Sequence, residues 1–510
     1  MSTTAAFREW ANRSDVARAV VFFCTLTRRS DGAQMMLPLS DSAPVRGTWD
    51  NLRNFEQCIS SEPTITHQAQ QTVNGRSLAA FGNLQLRLDS RSKLGPAGDL
   101  NWYQALNRYR WSGGEIVGLV GGPDLPWADW AVALRGHMGR VSHDETSAQV
   151  PILGAAAALA TIKVPPDTYE VADAVPEATV GKVKPIALGP CNNVTPVLVS
   201  ESPYTYQVHA YGPIQAISQV RVADVAVSPA SLDLTNGKFT LGSKPEGSVT
   251  CDLQGWVRGG LYLDSAPRQM EALLRQFTGV VDAGLDLTAW AAGQAAAPAA
   301  ITAYLTQALD IRTALDNLSL GLPLWWVDDA LGRYALRVFA APAGEPVLAV
   351  HDGSVGNPPY GAAWCWGVKV EPAPRWWSRC TVSGDRNWTR NTRPADSLSE
   401  DRKAWLREEY RARSASGDAP AGNPQVSEGD YKTGIASLED CQAQAAREIA
   451  MHGVERNLVS FQSLYAALTL QLGDVVRVVS QVGEMDAGWL GVVVEKEPAL
   501  PGLCRVRLWG

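Results

Sequence analysis

No two of the eight cysteines stand at Cys-x-x-Cys spacing, so the pattern of a zinc site or a redox pair is missing. Most of them sit inside apolar, strand-like runs, where a reduced cysteine packs as a small hydrophobe, as in a chain made in a reducing cytoplasm. Histidine is scarce, at six residues, and no two stand at the helical spacing of a zinc protease. There is no Walker-type phosphate loop and no nucleophile elbow. Gly353-Ser354-Val355-Gly356 comes nearest to the elbow, at the wrong spacing, and reads as a turn. Excess positive charge is missing too. With 45 basic and 52 acidic residues the net charge is −7, which argues against a nucleic-acid binder working through bulk charge.

Long hydrophobic runs are also lacking. The Ala-rich stretch Ala289–Leu309 is broken by Gly293, Gln294, Pro298 and Gln307, and falls short of the ~20 mostly apolar residues that span a bilayer. Ala19–Leu26 follows Arg8, Arg13 and Arg18 as a signal-peptide core would. Arg28 and Arg29 come directly after it with no small-residue cleavage site, so it reads as a buried strand. The expectation is a chain that is soluble when made.

What is present is an ordered, β-rich composition, 45% apolar and 19% charged over 510 residues, enough for several domains. Residues 1–150 alternate short apolar runs with turn signals, among them Gln85–Leu88 at period two and Ile116–Val120 between glycine pairs. They predict a β-barrel domain of tube type. Pro165-Pro166 marks a boundary, and 151–262 reads as an inserted β-rich domain. Within it, Asn236-Gly237 between Leu232–Thr235 and Lys238–Leu241 predicts a hairpin with a type I′ turn. Residues 263–345 read as α+β. One helix starts near Pro267 with Met270, Leu273, Leu274 and Phe277 on one face; others are predicted over Ala299–Leu309 and Thr313–Leu320. A hairpin then turns at Asp328–Gly332. Residues 346–510 are expected to form a second tube-type barrel. They include a charged helix over Ser399–Arg413, a mobile loop over 414–429, and a helix capped by Ser437 and ended by Gly453. Four terminal strands complete the unit: Asn457–Ser463, Asp474–Ser480, Trp489–Glu497 and Leu503–Trp509. The fold class is α+β, mainly β: two β-barrel domains with inserted β and α/β domains.

Candidate chemistry is sparse. His143-Asp144-Glu145 and His351-Asp352 carry metal-ligand types, but adjacent residues on a strand cannot all face one ion, so both read as polar loops. Asp328-Asp329 sits where aspartate bonds turn backbone. A glycosidase would need two carboxylates facing across a cleft, which a sequence does not display. Arg375–Arg393 interleaves arginine with Trp376, Trp377 and Trp388, as a single-strand binder would. Alternation about Cys380-Thr381-Val382 favours paired strands with tryptophan inward instead. The expectation is therefore no catalytic, cofactor-binding or metal site, and no cofactor. The 18 tryptophans favour extensive protein contact, since indoles bury large areas and keep a polar edge.

Several stretches resemble, in order, the tail-tip baseplate hub and distal tail proteins of long-tailed bacteriophages. They are Phe81–Leu86 with Gly113–Gly122 and Arg135-Gly136; Pro185–Gly189 with Asn193–Leu198, Tyr206–His209 and Ile217–Val222; Leu322–Asp328 with Gly332-Arg333-Tyr334; and Ala443–Ile449 with Leu472–Val476 and the terminal Val506–Trp509. The resemblance runs from about residue 80 to the end. It implies two tube-type barrels with inserted domains, and three copies closing a ring that imitates six-fold symmetry around the DNA channel. The implied partners are further copies of the chain, the tail tube or distal tail protein, the tape measure protein, and tail-tip and fibre proteins. No membrane is involved, DNA is met only in transit, and the location is the virion tail. The alternatives are a hexameric distal tail protein, with one barrel per chain, and a cell-wall-degrading or glycan-binding tail enzyme. DNA transit further predicts an acidic or neutral lumen, because phosphates hold cations strongly.

Overall fold

The computed structural model describes residues 4–11, 13, 16–41, 56–63, 65–69, 77–89, 94, 100–356, 361–419, 423–499 and 503–510. The strand Ala19–Arg28 is almost wholly buried, as its apolar run requires of a central strand. Gln34–Ser40 pairs with it on one side and Glu115–Gly121 on the other. Gly118 is needed opposite Phe22, because a Cβ there would come within 2.8 Å of the ring. The sheet continues through Ala131–Met138, Ser147–Leu153 and Asn83–Arg87. Its two ends are joined by one short segment. Glu56–Gln57 pairs with Gln34–Ser40, and Ile59–Ser61 pairs with Asn83–Arg87. Cys58 lies between them, donating to Ser40 O and accepting from Arg87 N. The result is a nearly closed sheet, filled by Phe7, Phe22, Leu26, Trp102 and their neighbours.

A second barrel closes completely. Its order is Val475–Ser480, Leu348–His351, Ala363–Pro372, Asn457–Ser463, Leu503–Trp509 and Met485–Ala499, the last pairing back to the first. Closure removes the free edges that would otherwise invite uncontrolled pairing. The hairpin of Ile65–Ala69 and Ser77–Phe81 then adds to the outside of Met485–Ala499, with Gln68 opposite Glu495. Ile65 belongs to the first core, while Ala69 packs against the second. In return Leu468, from the second unit, enters the first core.

Between the barrels the chain builds a β-rich unit and a helical one. The helix Ala266–Thr278 has Pro267 in its first turn and buries Met270, Leu273 and Leu274. Ala299–Leu309 is not a helix. The helix comes earlier, at Leu287–Ala296, and stops before Pro298; beyond it lie the short strands Ala303–Leu305 and Leu309–Asp310. Alanine raised the helix expectation, but proline removes a donor and clashes with the preceding turn. The Asn-Gly hairpin is present with a wider loop than a type I′ turn. Asp233 pairs with Lys238 across four residues, Asp233 accepts from both nitrogens of Asn236, and Gly237 alone takes positive φ, 59°.

The second barrel is interrupted by a large excursion. Trp377–Gly384, Arg411–Ser416 and Ser427–Lys432 form a three-stranded sheet, covered by the helix Leu438–His452. The stretch expected as a mobile loop, 414–429, thus begins and ends in paired strands; residues 420–422 lie outside the described residues. The charged helix is shorter than expected, Glu400–Arg407. Trp377, Cys380, Val382, Cys441 and Ala445 share one core with Met270, Leu273, Leu315 and Trp326. The excursion therefore packs with the helical unit, although it lies within the chain segment of the barrel.

Candidate assembly surface and cleft

On the strand Ala363–Pro372, period two turns Ala363 and Cys365 inward and leaves Trp364 and Trp366 outside, 52% and 37% exposed. Each is held in place. Trp364 lies against His351 with ring centroids 4.6 Å apart, and the Trp366 indole donates to Gln462 at 2.9 Å. Past a register shift at Trp366/Lys369, the same strand meets a ladder of alternating charge. Lys369 bonds Glu371, Glu371 bonds Arg507, and Arg507 faces Glu495, to which Gln68 of the added hairpin donates. Arg507 and then Lys369 hold the Glu371 carboxyl below its ordinary pKa. Exposed tryptophan flanked by ion pairs is the make-up of a protein contact: apolar centre, polar rim.

A deep cleft of about 770 Å³ opens where the β-rich unit, the helical unit and the excursion meet. Lys182 of the β-rich unit and Arg386 and Lys432 of the excursion stand along it, with Leu305, Leu309 and Leu320 of the helical unit in its wall.

The carboxylates at Asp328-Asp329 are structural. Asp329 accepts from the backbone of Leu331 and Arg333, each at 2.9 Å, and from the Arg333 guanidinium at 2.9 and 2.7 Å. Asp328 points instead toward the short helix Ala155–Leu159, accepting weakly from Ala156 N at 3.4 Å. Burial pushes its pKa up to about 6. Asp144 closes its own loop through Thr146 and Ser147, and these bonds pull its pKa down to about 2. Asp352 bonds Ser354 and Ser480, while His351 goes to Trp364. Gly353–Gly356 is a bend. Among the described residues no group of three His, Cys, Asp or Glu could hold a metal ion. In the basic-aromatic stretch, Trp377 is buried in the shared core on the paired strand Trp377–Gly384, while Trp388 lies beyond that strand and donates to Thr302 at 2.9 Å.

One polar cluster had no sequence signature. His452 is wholly buried where the excursion meets the closed barrel, among Phe339, Trp377 and Trp509, and neither ring nitrogen has a hydrogen-bond partner. Glu448 lies one turn earlier, its Oε2 3.8 Å from His452 Nε2. Gln444 and Arg447 donate to its other oxygen at 2.7 and 3.2 Å. Burial, then the charges of Arg375, Arg447 and Arg456, presses the His452 pKa down to about 3. Burial raises Glu448 to about 7 against the pull of Arg447 and Arg375.

No protein-family model matches the chain, and no curated protein matches it. Solved structures similar to it include tail proteins and a virion chain. One is the 43 kDa tail protein of prophage MuSo2 from Shewanella oneidensis, 8% identical with a TM-score of 0.41 over 96% of this chain and 97% of that one. Another is a tail protein from Neisseria meningitidis MC58, 10% identical with a TM-score of 0.40 over 97% of each. A chain of the native gene transfer agent virion is 14% identical with a TM-score of 0.40, over 67% of this chain and 85% of that one.

Proposed function

We propose that this chain is a structural, non-enzymatic component of a bacteriophage tail tip. It would be a baseplate hub subunit whose ring joins the tail tube to the tip and surrounds the DNA channel. The observation that carries the reading is the pair of β units, one nearly closed and one closed, built from the two ends of the chain. A hexameric distal tail protein would need one tube unit per copy. Two per chain favour three copies, each filling two of six positions around the axis. A closed ring of identical chains needs a head-to-tail contact that repeats after a fixed rotation, and the Trp364–Trp366 face is a surface suited to one side of it. Through the ring the chain would meet the tail tube or distal tail protein, the tape measure protein and fibre proteins.

Native mass spectrometry of the purified chain tests this. A mass of three chains is expected. Six chains would favour the distal tail protein, and a lone monomer at all concentrations would remove the ring. Zymography on peptidoglycan tests the enzymatic alternative, for which no lytic band is expected.

A further inference from the structure

The cleft between the three units is unlike the rest of this acidic chain. Of the described residues that line it, three are cations and none is Asp or Glu. Arg386 stacks on Trp388 at 3.9 Å and lies 5.2 Å from the Tyr410 ring, which Lys432 also approaches at 5.2 Å. Arg386 spends one amino group on Glu409 at 2.9 Å, while its buried Nε–H has no acceptor. Lys182 and Lys432 are exposed and form no ion pair among the described residues. The volume is that of a ligand site. Its walls interleave aliphatic residues, among them Val197, Leu305, Leu309 and Leu320, with neutral polar ones such as Gln307 and Asn317.

We propose that this cleft binds an extended polypeptide segment that alternates carboxylates with aliphatic side chains, contributed by another protein. The aliphatic part of the lining takes the apolar side chains, and the cations, Lys182 from the β-rich unit with Arg386 and Lys432 from the excursion, take the carboxylates. An acidic glycan shares the charge but fits less well. Sugars stack on open aromatic faces, and here Arg386 and Lys432 already sit over Trp388 and Tyr410. Cation–π stacking holds the cations in place before binding, which lowers the ordering cost. The inference does not depend on the tail reading.

The test uses the full chain and a fluorescein-labelled octapeptide of alternating Asp and Leu, followed by fluorescence anisotropy at low salt. Saturable binding is expected. It should weaken at least about tenfold when Asn replaces Asp in the peptide, and again when Ser replaces Leu. Lys182→Glu and Lys432→Glu, both at exposed positions and checked for unchanged thermal unfolding, should each weaken it about fivefold or more. Lys244→Glu, in an exposed loop away from the cleft, should not. Absence of saturable binding overturns the proposal, as does binding indifferent to both cleft lysines. Tighter binding of polygalacturonate than of the peptide, lost in the same variants, overturns it in favour of a glycan cleft.

Discussion

His452 has no hydrogen bond to lose and much to lose from a proton. Its pKa is about 3 in the folded chain against an ordinary 6.5. A depressed value contributes stability that is fully present above pH 6.5 and is lost as pH falls toward 3. Glu448 runs the other way. Raised from 4.5 to about 7, it contributes fully below pH 4.5, and that contribution is lost as pH rises through 7. His452→Phe keeps an aromatic ring among Phe339, Trp377 and Trp509 and removes only the first dependence. Urea unfolding at pH 7 and pH 4.5 should show the variant gaining about 2 kcal/mol on the parent between the two. An equal pH effect in both proteins would mean that the imidazole does not titrate in this window. Asp329 makes the opposite case, a buried carboxylate with every bond made. Asp329→Ala leaves the backbone donors of Leu331 and Arg333 without acceptors, and should cost about 2–3 kcal/mol in the same measurement. Its turn role was legible in the sequence because aspartate opening a hairpin turn that ends in glycine has a local cause. The His452 cluster was not, because the rings that enclose it, Phe339, Trp377 and Trp509, all come from distant parts of the chain.

Helices and strands divide along the same line. The terminal strands Asn457–Ser463 and Leu503–Trp509 stand where the sequence places them, since alternation along a half-buried strand is written locally. The helix Leu438–His452 starts at its cap, with Ser437 Oγ accepting from Asp440 N at 3.0 Å. Ser437→Ala should lower stability by about 1 kcal/mol, read from the urea midpoint. Ala299–Leu309 misleads because composition favours helix while Pro298 and long-range strand partners decide otherwise. The strands within 411–432 mislead in reverse. Their small, polar residues suggest a loop, yet Trp377–Gly384 between them supplies hydrogen-bond partners on both edges. The face of Ala363–Pro372 is a third kind of case. Its alternation identifies a strand, but whether Trp364 and Trp366 point into the core or out of it depends on register. Both point out, so they contribute little to folding. The double variant Trp364→Ser with Trp366→Ser should melt within about 2 °C of the parent. If these indoles form the ring contact, the same variant should lower the mass of the assembly in native spectra. Unchanged assembly would assign the contact to another face.

At the scale of the molecule the two β units are interlocked. The hairpin Ile65–Phe81 leaves the first unit to pair with Met485–Ala499 of the second. Leu468 of the second unit fills the first core. Neither connection could be read from sequence, because each joins residues some 400 positions apart, and the short paired stretch carries no pattern distinguishing this partner from any other edge. Physically the exchange makes each unit part of the other's boundary. In the proposed role between a tube and a tip that coupling would matter, since two barrels on a loose tether would each transmit force only through the linker. Gln68 lies in the middle strand, between Ser77–Phe81 and Met485–Ala499, so Gln68→Pro removes a backbone donor where a sheet tolerates it least. Calorimetry of the parent should show the two barrels unfolding in one transition. In the variant the first unit should melt several degrees earlier as a separate transition, while the closed barrel keeps its own. A single undivided transition in the variant would mean that the units are held together by the Leu468 contact and the inserted domains, and that the hairpin only covers the barrel wall.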